Sequence, residues 1–160
     1  MILKLETINF EIIENVAIIR LNRPNSYNSL NAKMAKELLE ISYECDSNKK
    51  IRAIILTGEG DRAFCAGGDL KSFHETGNVA KHLKMVTHDL HGAITKFSRM
   101  NSPLIVAVNG VAAGAGLSFV GFADLAIATS SATFVSAYTK AGLTPDGSSS
   151  YYLPRIIGIR

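Results

Sequence analysis

Two short apolar runs constrain this chain most: Arg52-Ala53-Ile54-Ile55-Leu56-Thr57 and Leu104-Ile105-Val106-Ala107-Val108, each neighboured by a helical repeat. Apolar runs of this length without polar alternation read as strands covered on both faces, the habit of a parallel sheet. Between them Val79, Leu83, Val86, Leu90, Ile94 and Phe97 keep a three-and-four spacing. That spacing predicts one long amphipathic helix ending before Asn101-Ser102-Pro103. Parallel strands need such a crossover, so the fold class is α/β with right-handed connections.

The flanking sequence agrees with this alternation. Ile8–Ile13 and Val16–Leu21 predict a hairpin, and from Asn31 the apolar residues Met34, Leu38, Ile41 and Cys45 predict a helix. The stretch from Gly58 through the paired glycines 67 and 68 reads as a loop. Asn109-Gly110 then turns the chain, the small residues 112–116 open a helix, and residues 124–129 return as a strand. A last helix is expected to begin after Pro145 and to run on to the chain end without a stop signal. At 160 residues the chain is expected to form one domain, 1–160.

Composition narrows the function classes. Apolar types at 47% with charged residues at 19% supply a core and exclude global disorder. The densest basic cluster is Lys49-Lys50 with Arg52, next to Asp46, which is no groove for a polyanion, so no nucleic-acid partner is expected. Cys45 and Cys65 form no Cys-x-x-Cys motif, and residues 1–6 show no basic stretch leading into an apolar one. Both point to the cytoplasm. Residues 102–123 carry no charge, but Pro103, Asn109 and four glycines break them into strand, turn and helix, so no membrane partner is expected. His88 and His91 lie one turn apart without a cysteine or paired carboxylate to complete a metal site, and they read as a polar helix face. Phosphate-loop, dinucleotide and nucleophile-elbow signatures are missing.

Two glycine-rich strand ends carry the chemistry. In Ala63-Phe64-Cys65-Ala66-Gly67-Gly68-Asp69-Leu70-Lys71, small residues let a ligand approach the backbone, the Gly68 amide can point at an anion, and Asp69 can cap a following short helix. In Val108-Asn109-Gly110-Val111-Ala112-Ala113-Gly114-Ala115-Gly116 a strand gives way to a helix with the Ala115 amide in its first turn. Together they suggest two amides aimed at one developing negative oxygen.

With these loops the chain resembles the crotonase superfamily of acyl-CoA enzymes, the group that includes enoyl-CoA hydratases and isomerases. The matching stretches are Leu21-Asn22-Arg23-Pro24 with Asn28-Ser29-Leu30, the two glycine loops, and Thr144-Pro145-Asp146-Gly147 followed by Leu153-Pro154-Arg155. The resemblance implies a ClpP/crotonase-like spiral of stacked ββα units lacking its C-terminal helical part. It further implies CoA thioester substrates, no cofactor beyond the CoA of the substrate, and assembly as a homotrimer or dimer of trimers. Carried over by position, the oxyanion amides are those of Gly68 and Ala115. The adenine pocket falls on Ala66, Asp69, Leu70 and Lys71, with Arg23 near the CoA phosphates.

Typical hydratases of the superfamily place glutamates where this chain has Ser118 and Tyr138, and neither replacement is a general base near neutral pH. Tyr138 is therefore expected to line the substrate. The resemblance instead offers Asp146, the position of the single acid/base in a group resembling enoyl-CoA isomerases and ring-epoxide phenylacetyl-CoA isomerase. One carboxylate suffices to move a proton between two carbons of a thioester enolate. For that work Asp146 is expected among apolar side chains that raise its pKa. Three alternatives remain, the first being an enoyl-CoA hydratase in the broad sense. A relative resembling 4-chlorobenzoyl-CoA dehalogenase uses an aspartate here as a nucleophile, oriented by a tryptophan that this chain lacks. A member without chemistry would only bind acyl-CoA.

Overall fold

The computed structural model describes residues 3–74 and 76–160; Met1 and Ile2, part of the stretch read for a leader, lie outside them. Strands β1 (Ile8–Ile13) and β2 (Val16–Leu21) form the expected antiparallel hairpin. Its two-residue loop, Glu14-Asn15, has positive φ at both positions (47° and 69°), the geometry whose twist matches that of paired strands. Helix α1 (Ala32–Ser47) is capped by Asn31, whose side chain accepts from the Met34 amide at 2.9 Å. Strand β3 (Ala53–Gly58) pairs parallel with β2.

Next come β4 (Ala63–Cys65), the short α2 (Leu70–His74) and the long α3 (Val79–Phe97). Asn78 caps α3 through the Lys81 amide at 3.0 Å. Beyond it lie β5 (Leu104–Val108), β6 (Val111–Ala113), α4 (Ala115–Phe122), β7 (Leu125–Ala128), β8 (Thr133–Val135) and α5 (Ser149–Ile157). A 3₁₀ turn, Tyr138–Ala141, joins the last two.

The strands make two sheets. One has the order β1-β2-β3-β5-β7, the other β4-β6-β8, and every pairing except the hairpin is parallel. From β3 onward the chain repeats one unit three times: a strand in the large sheet, a short strand in the small sheet, then helix. These are the stacked ββα turns of a spiral. Helices α1 and α3 pack on each other and seal the large sheet with Met34, Leu38, Ile41, Leu90, Ile94 and Phe97, all buried.

Three expectations need correction. The small sheet is unforeseen: 63–65 was expected as loop and 112–113 as helix, yet both are strand, because pairing along a neighbour overrides the local preference of three small residues. The last helix starts at Ser149 and not directly after Pro145, since Gly147 and Ser148 take left-handed φ values of 60° and 61°. It also has a stop, Gly158 at φ 83°.

Candidate active site

A parallel sheet offers its ligand site beyond the carboxyl ends of its strands, where chain segments diverge. The small sheet does this here. Ala66-Gly67-Gly68 leaves β4, Gly114-Ala115 leaves the adjacent β6, and Tyr138 and Asp146 follow β8. All of these residues line one cavity of about 380 Å³, whose wall is completed by apolar groups that include Leu70, Phe73, Leu83, Val86, Leu90 and Leu143.

Hydrogen bonds at the first strand end fix which way its amides face. Leu30 N donates to Gly67 O at 2.7 Å and Asp69 N to Leu30 O at 2.8 Å. The Gly68 N–H between them is turned away from Leu30, and it has no acceptor among the described residues. The Ala115 amide opens α4, where helical geometry provides no acceptor, and it is likewise unpaired among the described residues. Backbone contact sets their proximity. A Cβ on Gly67 (φ 98°) would lie 2.9 Å from Ala113 O and 3.5 Å from Ala115 N, and one on Gly116 would lie 2.1 Å from Cys65 O. Glycine alone permits strand and helix to close to this distance. Cys65, beneath the contact, is fully buried, and burial pushes its thiol up to about 12.

The motif Asn28-Ser29-Leu30 holds this floor in place. Asn28 is buried with φ 53°; its side chain accepts from Arg23 N at 2.9 Å and donates to Glu59 O at 2.9 Å and Ala63 O at 2.8 Å.

Arg23, expected beside the CoA phosphates, is occupied internally: its guanidinium donates to Asp69 Oδ2 at 2.7 Å and Ser29 O at 2.6 Å. Asp69 also caps α2 as expected, accepting from Ser72 N at 3.2 Å. Both of its carboxylate oxygens are thus engaged. Ala66 and Leu70 line the cavity; Lys71, next in sequence, is exposed and does not line it.

Asp146 lines the same cavity, with its side chain one-third exposed. Apolar residues, Leu90 and Leu143 among them, line the cavity with it, but His91 Nε2 also lies 2.6 Å from Asp146 Oδ1. A proton on either partner makes that bond. Helical spacing puts His91 on a polar helix face; its partner lies 55 residues away, and such spacing carries no signal of that contact. Ser118 and Tyr138 do come together at the site, but their hydroxyls bond each other at 2.7 Å and the Asp146 main-chain oxygen at 2.9 and 3.1 Å. Burial raises the Tyr138 phenol pKa, so it stays a neutral donor.

Two sheets, parallel apart from the leading hairpin and wound from ββα turns, with unpaired amides at the strand ends, are the architecture of the crotonase fold. An enoyl-CoA hydratase/isomerase from Mycobacterium paratuberculosis superposes with a TM-score of 0.89 at 28% identity, covering 98% of this chain and 63% of that structure. The chain belongs to the enoyl-CoA hydratase/isomerase family, whose model matches residues 11–160. Among curated relatives, 4-chlorobenzoyl coenzyme A dehalogenase-2 of an Arthrobacter species is 38% identical over 96% of this chain and 56% of its own length. The 1,2-epoxyphenylacetyl-CoA isomerase of Escherichia coli is 37% identical over 96% of this chain and 59% of its own. The chain thus spans a little over half the length of these relatives. Among the described residues no helix is long and apolar enough to cross a membrane.

Proposed function

We propose that this chain is the acyl-CoA-binding core of a cytoplasmic, trimeric isomerase that shifts a double bond by proton transfer through a thioester enolate. The observation that carries the reading is that Asp146 is, among the described residues, the one carboxylate lining the cavity that also holds the unpaired Gly68 and Ala115 amides. In this reading both amides donate to the thioester oxygen. Each such donor is worth about 3 kcal/mol of barrier, because it is aimed before charge develops. Asp146 takes the proton from the carbon next to the thioester and returns it two carbons further on. The CoA moiety would lie along Ala66, Leu70 and the exposed Lys71, with Arg23 and Asp69 shaping that loop through their ion pair rather than by direct contact. No cofactor enters the scheme.

Replacing Asp146 by Asn removes the base and keeps its size. Conversion of a 3-enoyl-CoA to its conjugated 2-enoyl isomer, followed by ultraviolet absorbance, should fall about a hundredfold or more. Affinity for the thioester should stay within about twofold. A variant that keeps its rate overturns the assignment. Solvent oxygen appearing stoichiometrically in the product would establish hydration instead.

The His91–Asp146 contact favours a second reading, in line with the dehalogenase relative. Asp146 would attack the halogen-bearing ring carbon of a halobenzoyl-CoA. A C–O bond forms and halide leaves, giving an aryl ester of Asp146. Water, losing its proton to His91, then cleaves that ester to hydroxybenzoyl-CoA and the free carboxylate. Chloride release from 4-chlorobenzoyl-CoA, with labelled solvent oxygen retained in Asp146 after one turnover, would select this route over isomerisation.

A further inference from the structure

Ser118 and Tyr138 occupy the positions where the hydratase resemblance places acids, and the structure turns both toward the backbone of Asp146. Ser118 is fully buried on α4, one turn beyond Ala115, and Tyr138 is 8% exposed at the start of the 3₁₀ turn. Their hydroxyls lie 2.7 Å apart, and both reach the Asp146 carbonyl, Ser118 at 2.9 Å and Tyr138 at 3.1 Å. Ser118 Oγ also lies 3.3 Å from the Gly114 carbonyl of its own helix, so two protons serve four contacts, and the two to the Asp146 carbonyl are shorter than the one to Gly114.

The next residue adds a steric stop. Gly147 has φ 60°, and a Cβ there would lie 2.7 Å from Ser118 Cβ, so the chain after Asp146 rests directly on α4. One helix therefore presents the Ala115 amide at its first residue and holds the main chain of the acid one turn later.

We propose that Ser118 and Tyr138 are positioning residues: through the Asp146 carbonyl they fix the reach of its carboxylate relative to the Ala115 amide. This rests on Asp146 acting as the proton-transfer base, as argued above. A misplacement on the order of 1 Å can cost about a hundredfold in rate, so two hydroxyls that prevent one have a measurable effect.

The test is exchange of the α-protons of phenylacetyl-CoA for solvent deuterium, read by mass spectrometry on the full-length protein. Exchange requires only enolate formation and return of a deuteron. Tyr138→Phe keeps the ring and should lower the exchange rate about tenfold, with the half-saturating thioester concentration changed less than about twofold. Ser118→Ala should do the same, and the double variant should fall little below the slower single one, because the two act as a unit. In an Asp146→Asn background neither substitution should lower the residual rate further.

Wild-type rates in both single variants, or equal losses with and without the Asp146 carboxylate, overturn the positioning role; the second outcome would mark a structural one. If Ser118→Ala does not fold, Tyr138→Phe decides. Failure of the underlying reading looks different. Full exchange by Asp146→Asn, or none by the wild-type protein, removes the base assignment whatever the clamp variants do.

Discussion

The first two ββα turns and the third are built from the same apolar residue types and have opposite surroundings. In the first two, Ile54, Leu56, Val106 and Val108 are at most 1% exposed, sealed by α1 and α3. In the third, Leu125 and Ile127 of β7 are more than half exposed, as are Ile156 and Ile157 at the end of α5. The site nevertheless draws on all three: both amides come from the enclosed turns, and the acid follows the open one. The difference teaches how the acid is held. General burial fixes the amides, whereas Asp146 depends on particular attachments: the Gly147–Ser118 contact, the two hydroxyls and His91.

Substitutions in the two regions should therefore differ in size. The largest effect is expected for Gly116→Ala, where the new Cβ meets the Cys65 carbonyl at 2.1 Å and only backbone movement relieves it. Denaturant unfolding should show a loss of about 3 kcal/mol. Gly142→Ala, at φ 68° with open space around it, should cost about 1 kcal/mol from backbone strain alone. If both glycines tolerate alanine equally, the contrast between regions is lost.

A smaller step comes from side-chain truncation. Ile54→Ala empties a fully enclosed site and should cost about 2 kcal/mol, while Ile127→Ala in the 160-residue chain should stay within about 0.5 kcal/mol. Urea titrations of the pair measure it directly.

The mildest expectation concerns the thiols. Burial pushes Cys45 and Cys65 up to about 12, so neither should react with a disulfide reagent at pH 8 until denaturant is added. The sign for stability follows from the same shift. Below about pH 7 thiols are protonated in both states and contribute nothing that varies. As pH rises from there toward 12 the unfolded thiols ionise first, and the folded state loses ground. Tyr138, also raised by burial, adds to that alkaline loss. A stability that climbs with pH over this interval would contradict the burial of these groups.

What the sequence made legible follows the length scale of each signal. The hairpin, α1, β3, α3 and β5 were readable because runs of five or more residues show a period or its absence. The glycine loops were readable because close backbone approach leaves a mark in residue type. Strands β4, β6 and β8 have three residues each, too few to carry a period, and they exist only because they pair with one another. Pro145 suggested a helix start, yet two left-handed residues intervene before α5. His91 meeting Asp146, and Arg23 turning to Asp69, are long-range pairings that no local pattern records.

The bare contact between Gly116 and the Cys65 carbonyl has one more consequence. No side-chain torsion stands between the two unpaired amide nitrogens, so their spacing is set by the main chain and not by any rotamer. The walls at Leu70, Phe73, Leu83 and Leu143 can therefore be exchanged, and the cavity reshaped, without altering that spacing. A scaffold of this kind separates what it selects from what it does.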